Sequence, residues 1–153
     1  MIKVNVLSEE KSWTKKIKRK ENFFNNLCKF FPGRFQFLNK KIYITLLLSN
    51  NKNIKKLNNK FRKKNKHTDI LSFPSKQKLK NPKEIYLGDI IISFNYMNKP
   101  KNLSNYDFKE KVIKIFIHGF LHLLGYDHIK NKEHQLMFNQ EQKIFKSVQK
   151  FIN

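Results

Sequence analysis

Residues 118–128 read HGFLHLLGYDH and hold three of the five histidines of the chain. His118 and His122 are four residues apart, so in a helix both imidazoles lie on one face with Cβ atoms about 5–6 Å apart. That spacing lets two ring nitrogens bind one metal ion at about 2.0–2.1 Å each. Gly125 can end the helix in a left-handed conformation, and the returning chain can bring His128 as a third ligand. The stretch therefore predicts a zinc site with an open fourth position, which is typical of catalytic zinc.

Other residues in and around this stretch limit which reactions the predicted zinc site can catalyse. Gly119 stands where zinc proteases carry a glutamate directly after the first histidine, so peptide hydrolysis by that route lacks its general base. Asp127 is the nearest carboxylate in the sequence, and two roles stay open for it: it orients a ligand imidazole, or it caps the turn. His67 lies in a lysine-rich loop and His134 at a polar helix start, and we expect both to face solvent.

Hydrophobic periodicity outside this stretch predicts an α+β fold with a small mixed sheet of about four strands. We expect strands at 2–7, 41–49, 68–73 and 84–94, and helices at about 12–31, 51–61, 106–124 and 132–152. Ser12 is the predicted N-cap of the first helix. The last two strands are close in sequence, which favours an antiparallel hairpin. Neither an internal repeat nor a linker is evident, so residues 1–153 are expected to form a single domain.

Composition indicates a basic protein with a substantial core. The 153 residues are 39% hydrophobic, which is enough for one folded domain. The 33 Lys and Arg against 11 Asp and Glu give a net charge of +22, a field that attracts nucleic acid or an anionic membrane face. Residues 52–66 carry eight of the basic groups and no acidic one. The lack of alanine and the three arginines also fit codon bias in an AT-rich genome, which can account for part of the charge.

Targeting signals and cysteine usage indicate the compartment. Cys28 is the only cysteine, so an intramolecular disulfide is not possible and a reducing environment is expected. The N-terminus does not read as a secretory signal, and apolar runs stay well below the roughly 20 residues of a membrane-spanning helix. We therefore expect a soluble cytoplasmic protein without a membrane partner.

The stretch 118–128 resembles the signature of the YbeY family of bacterial endoribonucleases and rRNA maturation factors. Further segments follow in that family's order: Leu57-Asn58, Arg62, Thr68 to Pro74 (TDILSFP), Leu87 to Ile90 (LGDI) and Ile92-Ser93. The resemblance implies one zinc ion per chain held by His118, His122 and His128, in a basic groove of a fold similar to zinc peptidases. It also implies action at the 3′ end of 16S rRNA and in ribosome quality control. His67 is a departure, since the family carries a proline there.

The resemblance also implies how RNA is held. It places Arg62 in the metal groove as a catalytic residue, where a guanidinium can grip a phosphate with two parallel hydrogen bonds. Apart from the resemblance, the basic run 52–66 predicts that Lys63, Lys64 and Lys66 bind substrate phosphates. The expected partners are RNA, chiefly the small-subunit rRNA precursor, and the ribosome.

Three functions remain open from the sequence. The favoured one is a zinc-dependent, single-strand endoribonuclease, with attack by either a zinc-activated water or the RNA's own 2′-hydroxyl. The second is a ribosome-assembly or RNA-binding factor with a structural metal. The third is a hydrolase of another substrate, which Gly119 and the basic run 52–66 disfavour.

Overall fold

A four-stranded mixed sheet forms the centre of the fold, and the computed structural model describes residues 1–152. Its strands are β1 (Ile2–Ser8), β2 (Lys41–Ser49), β3 (Ile70–Pro74) and β4 (Glu84–Ser93), in the order β1-β2-β4-β3. β1, β2 and β4 are parallel, and β3 pairs antiparallel with β4 at the edge of the sheet. The predicted mixed sheet and antiparallel hairpin are confirmed.

Six helices accompany the sheet within the described residues. They are α1 (Ser12–Lys16), α2 (Lys20–Lys29), α3 (Asn51–Arg62), α4 (Phe94–Met97), α5 (Asn105–Leu123) and α6 (Asn131–Ile152). Asn50 caps α3 by accepting a hydrogen bond from the Asn53 N–H at 2.9 Å. Ser104 caps α5 in the same way through the Asp107 N–H at 3.0 Å. These local polar caps begin the two helices that lead to the candidate site.

The prediction of one helix over residues 12–31 is wrong, because the chain breaks between α1 and α2. Ile17 has an extended backbone and is buried, while Trp13 is fully buried and donates its indole N–H to the Ser49 carbonyl at 2.9 Å. Tertiary anchoring of both side chains overrides the local helical pattern. Ser12 is not the cap either, since its N–H and hydroxyl donate to the Glu10 carboxylate at 3.1 and 3.0 Å. These hydrogen bonds hold the pKa of Glu10 below its usual value.

The two faces of the sheet bury separate apolar clusters. The larger one packs against α1, α2, α5 and α6, and its biggest fully buried side chains are Trp13, Phe24, Phe108, Phe116 and Phe120. The smaller one, formed by Ile54, Leu71 and Ile91, lies under α3. Burying each large apolar side chain contributes about 1.5–3 kcal/mol, so α5 is fixed firmly to the sheet. The sheet is thus covered by α5 on one face and α3 on the other, beside the edge strand β3.

Two further features concern the cysteine and the apolar character of the helices. Cys28 is a free, buried thiol. Among residues 1–152, no helix is long and apolar enough to cross a membrane.

Candidate metal centre

The end of α5 and the turn that follows bring three imidazoles together. His118 and His122 lie on successive turns of α5, and their Nε2 atoms are 3.1 Å apart. Gly125 adopts a φ of +100°, which a side chain would disfavour, and this turn reverses the chain. The His128 ring then lies with its centroid 5.0 Å from that of His122 and 5.6 Å from that of His118. One ring nitrogen of each histidine lies within 4.8 Å of the other two, so the three predicted ligands form one cluster.

Two of these imidazole rings each have an oxygen acceptor next to Nδ1, the ring nitrogen that points away from the other histidines. His118 Nδ1 lies 2.9 Å from Glu141 Oε1, and His122 Nδ1 lies 2.9 Å from the Tyr126 carbonyl oxygen. Because a carboxylate and a carbonyl accept hydrogen bonds, we assign the imidazole hydrogen of both rings to Nδ1. The Nε2 lone pairs then face the shared space between the rings. This arrangement, in which the outer nitrogen donates to an oxygen, is the usual one around metal-binding histidines.

Electrostatics favour the neutral form of the central imidazole. Burial lowers the pKa of His122 below its usual value, and the neighbouring His118 and His128 lower it further. The hydrogen bond to the Tyr126 carbonyl acts in the opposite direction. A neutral imidazole is the form that binds a metal ion, so the donor set fits zinc in both chemistry and number.

Asp127 caps the turn before the third histidine. Its Oδ1 accepts a hydrogen bond from the backbone N–H of His128 at 2.7 Å, which is one of the two roles that the sequence left open. The acceptor positions on His118 and His122 are taken by Glu141 and the Tyr126 carbonyl instead.

The sequence analysis did not identify Glu141 as a site residue, although its position on an amphipathic helix is unusual for a carboxylate. It lies on α6, four residues after Met137 and three before Ile144, and both of these neighbours are fully buried. A carboxylate on the apolar stripe of an amphipathic helix needs a polar partner. The partner is the His118 imidazole.

A groove of about 670 Å³ opens beside the histidines. It is lined by α3, the edge strand β3 and the turn after α5: Arg62, Lys64, Thr68, Asp69, Ile70, Ser72, Pro74, His118, His122, Gly125, Tyr126, Asp127, His128 and Ile129. Arg62 Nη2 donates to the Ser72 carbonyl oxygen at 3.1 Å, which fixes the guanidinium over β3. The structure therefore brings Arg62 and Lys64 to the groove. Lys63 and Lys66 are exposed but are not among its lining residues.

Close packing of α5 on β3 and β4 explains the glycine after the first histidine. A Cβ atom at Gly119 would lie 2.7 Å from Ile70 Cδ1, 3.1 Å from Ser72 Oγ and 3.2 Å from Ile90 Cγ2. A larger side chain at this position would require at least the end of the Ile70 side chain to shift. The close approach of α5 to β3 and β4 thus leaves little room for a side chain where zinc proteases carry their general base.

The two remaining histidines lie outside the three-histidine cluster. His67 is exposed, and its Nδ1 lies 2.9 Å from the Tyr96 hydroxyl. His134 is also exposed, and it lines a smaller cavity behind His118, His128 and Glu141.

These features define a small α+β protein with a candidate three-histidine metal centre in a groove. A family model described as Endoribonuclease YbeY matches residues 6–149. An endoribonuclease YbeY of Pelagibacter ubique is 60% identical over 148 residues, which cover 97% of each chain. Another, of Sulfurihydrogenibium sp., is 35% identical over 144 residues, covering 94% of this chain and 91% of that one. The chain belongs to the endoribonuclease YbeY family, and the predicted resemblance is confirmed.

A solved structure has the same fold. The solution structure of TM1509 from Thermotoga maritima superposes with a TM-score of 0.56 at 24% sequence identity. The match covers 97% of this chain and 89% of that one, and it confirms the predicted α+β fold class.

Proposed function

We propose that this chain is a zinc-dependent endoribonuclease that cuts single-stranded RNA, in maturation of the 3′ end of 16S rRNA and in ribosome quality control in the cytoplasm. The observation that carries the proposal is the convergence of three imidazoles and one guanidinium on the same groove. Membership of the endoribonuclease YbeY family supports the endoribonuclease activity.

The residues present fit a catalytic zinc ion. His118, His122 and His128 each offer one nitrogen, and three neutral imidazoles leave a fourth position for water or substrate. When bound, zinc supplies a Lewis acid that polarises a phosphoryl oxygen and lowers the pKa of water. Glu141 and the Tyr126 carbonyl hold the rings of His118 and His122 in place for that role.

Arg62 is suited to bind the scissile phosphate. Of its five N–H donors, one is used by the Ser72 carbonyl, which leaves the others for phosphate oxygens. A fixed guanidinium stabilises the negative charge that develops on those oxygens during cleavage. Lys64 adds a second positive charge to the groove. The Asp69 and Asp127 carboxylates also line it and can accept a hydrogen bond from the attacking hydroxyl, whether it belongs to water or to the ribose.

Metal analysis combined with RNA cleavage tests the proposal. Purified protein should contain about one zinc per chain and cleave a single-stranded RNA, and a chelator should abolish the cleavage. His122→Ala should lose most of the metal and the activity, whereas the matched control His67→Ala should keep both. Full zinc content in His122→Ala, or undiminished cleavage after removal of the metal, would refute the assignment.

The same variants separate an enzyme from an RNA-binding factor with a structural metal. For the enzyme, His122→Ala should lose cleavage while its thermal unfolding and its RNA affinity remain measurable. Unfolding of the metal-free protein, together with a wild type that binds but does not cut RNA, would support the structural role instead.

A further inference from the structure

Phe61 is a large aromatic side chain that the fold leaves in solvent. It occupies the last turn of α3, directly before Arg62, and 58% of it is exposed. The ring is nevertheless held in place, because its centroid lies 5.4 Å from that of Phe73 on β3. More than half of this side chain is therefore open to a partner, and the flexible Lys60 ammonium that lies over the ring can move aside.

A basic side chain lies against this ring, and the metal groove begins at the next residue, Arg62. Lys60 Nζ lies 5.3 Å from the Phe61 centroid, and the Arg62 guanidinium carbon lies 5.6 Å from the Phe73 centroid. The Phe73 ring thus contacts both the exposed ring and the guanidinium that lines the groove. A strand of RNA whose phosphate is bound by Arg62 would carry its neighbouring bases past Phe61.

We propose that Phe61 is a stacking platform for an unpaired base of the RNA strand, next to the nucleotide that is cut. The inference rests on the proposed function, and it adds a reason for acting on single strands, since a paired base cannot expose its face to the ring. Aromatic rings beside basic grooves bind single strands by stacking, with little preference for sequence. A purely apolar protein partner fits less well, because the Lys60 ammonium lies over the ring and three further basic residues, at positions 62 to 64, follow it in the chain.

Binding of matched oligonucleotides tests the platform. The probes are two labelled RNAs of equal length, one with bases and one abasic. Their riboses are 2′-O-methylated, which prevents attack by the 2′-hydroxyl, and a gel after each titration checks that the probes are intact. Phe61→Ala should weaken binding of the first about tenfold, since stacking contributes ~1–3 kcal/mol per base, and should leave the abasic probe unchanged. The dependence of binding on salt should stay the same, because the change removes no charge. Phe30→Ala, which removes an exposed ring outside the groove, is the matched control.

Two further variants separate stacking from simple apolar contact. Phe61→Trp should bind the base-containing probe at least as tightly as the wild type does. Phe61→Leu, which is apolar but lacks a flat π face, should bind it as weakly as Phe61→Ala. The platform is refuted if Phe61→Ala binds like the wild type, if Phe61→Leu keeps full affinity, or if the abasic probe loses as much affinity as the other.

A parallel cleavage assay on the wild type keeps this test separate from that of the function. A wild type that cuts RNA while Phe61→Ala binds normally would refute the platform alone. A wild type that neither binds nor cuts RNA would overturn the platform and the proposed function together.

Discussion

Replacing Glu141 should weaken metal binding although Glu141 contacts no metal. Its carboxylate lies 2.9 Å from His118 Nδ1, and both side chains are only 27% exposed. Loss of an acceptor that orients a ligand histidine commonly costs 10–100-fold in metal affinity. Because solvent still reaches both groups, we expect the lower part of that range for Glu141→Ala, about 10–30-fold or ~1.4–2 kcal/mol. Glu141→Gln keeps an accepting oxygen and loses only the charge, so its loss should be smaller, about threefold to tenfold.

Competition with a fluorescent zinc chelator measures this affinity directly. Glu133→Gln, on the first turn of the same helix and outside the groove, is the control for a lost carboxylate on α6. Circular dichroism melting of each variant checks that α6 still folds. If both Glu141→Ala and Glu133→Gln bind zinc with the wild-type affinity, then Glu141 does not orient the His118 imidazole for metal binding.

Three further predictions concern the groove and the core. Arg62→Ala should keep its zinc but lose most of the RNA cleavage. Arg62→Lys should recover only part of that cleavage, because an ammonium cannot make two parallel hydrogen bonds to a phosphate. Cleavage at the wild-type rate by both variants would show that Arg62 does not belong to the site. A triple variant in which Lys63, Lys64 and Lys66 are each replaced by Gln should bind single-stranded RNA with a weaker dependence on salt. The slope of log affinity against log salt concentration should become flatter by up to about two units. An unchanged slope would show that these lysines do not bind phosphates. Burial raises the pKa of the Cys28 thiol, so iodoacetamide at mildly alkaline pH should leave it unmodified in the native protein and label it in denaturant; rapid native labelling would contradict its burial.

Local sequence was sufficient wherever a feature depends on neighbours along the chain. The i, i+4 spacing of His118 and His122 fixes both rings on one side of a helix, and Gly125 permits the turn that returns His128. The four strands follow from short runs rich in β-branched and other apolar residues in the same way, because strand propensity depends mainly on neighbouring residues. The family resemblance added zinc, RNA and a role for Arg62, and the family itself is confirmed.

Local pattern failed where packing between distant segments decided the outcome. Residues 12–31 carry helical periodicity throughout, yet burial of Trp13 and Ile17 against the sheet breaks the helix between α1 and α2. The free energy of placing two large apolar side chains in the core exceeds the modest helix propensity of three residues.

The amino-acid sequence was enough to identify the three clustered histidines, because a helical period and one glycine place them together. The groups that orient and surround these histidines come from distant parts of the chain and depend on how the elements pack. Glu141 reaches His118 because α6 packs along α5, across 23 positions of chain. Arg62 reaches the groove because β3 returns beside the end of α3 and offers the Ser72 carbonyl. Both contacts join elements whose relative positions depend on the common core, and such positions are fixed by burial over the whole fold rather than by any local pattern.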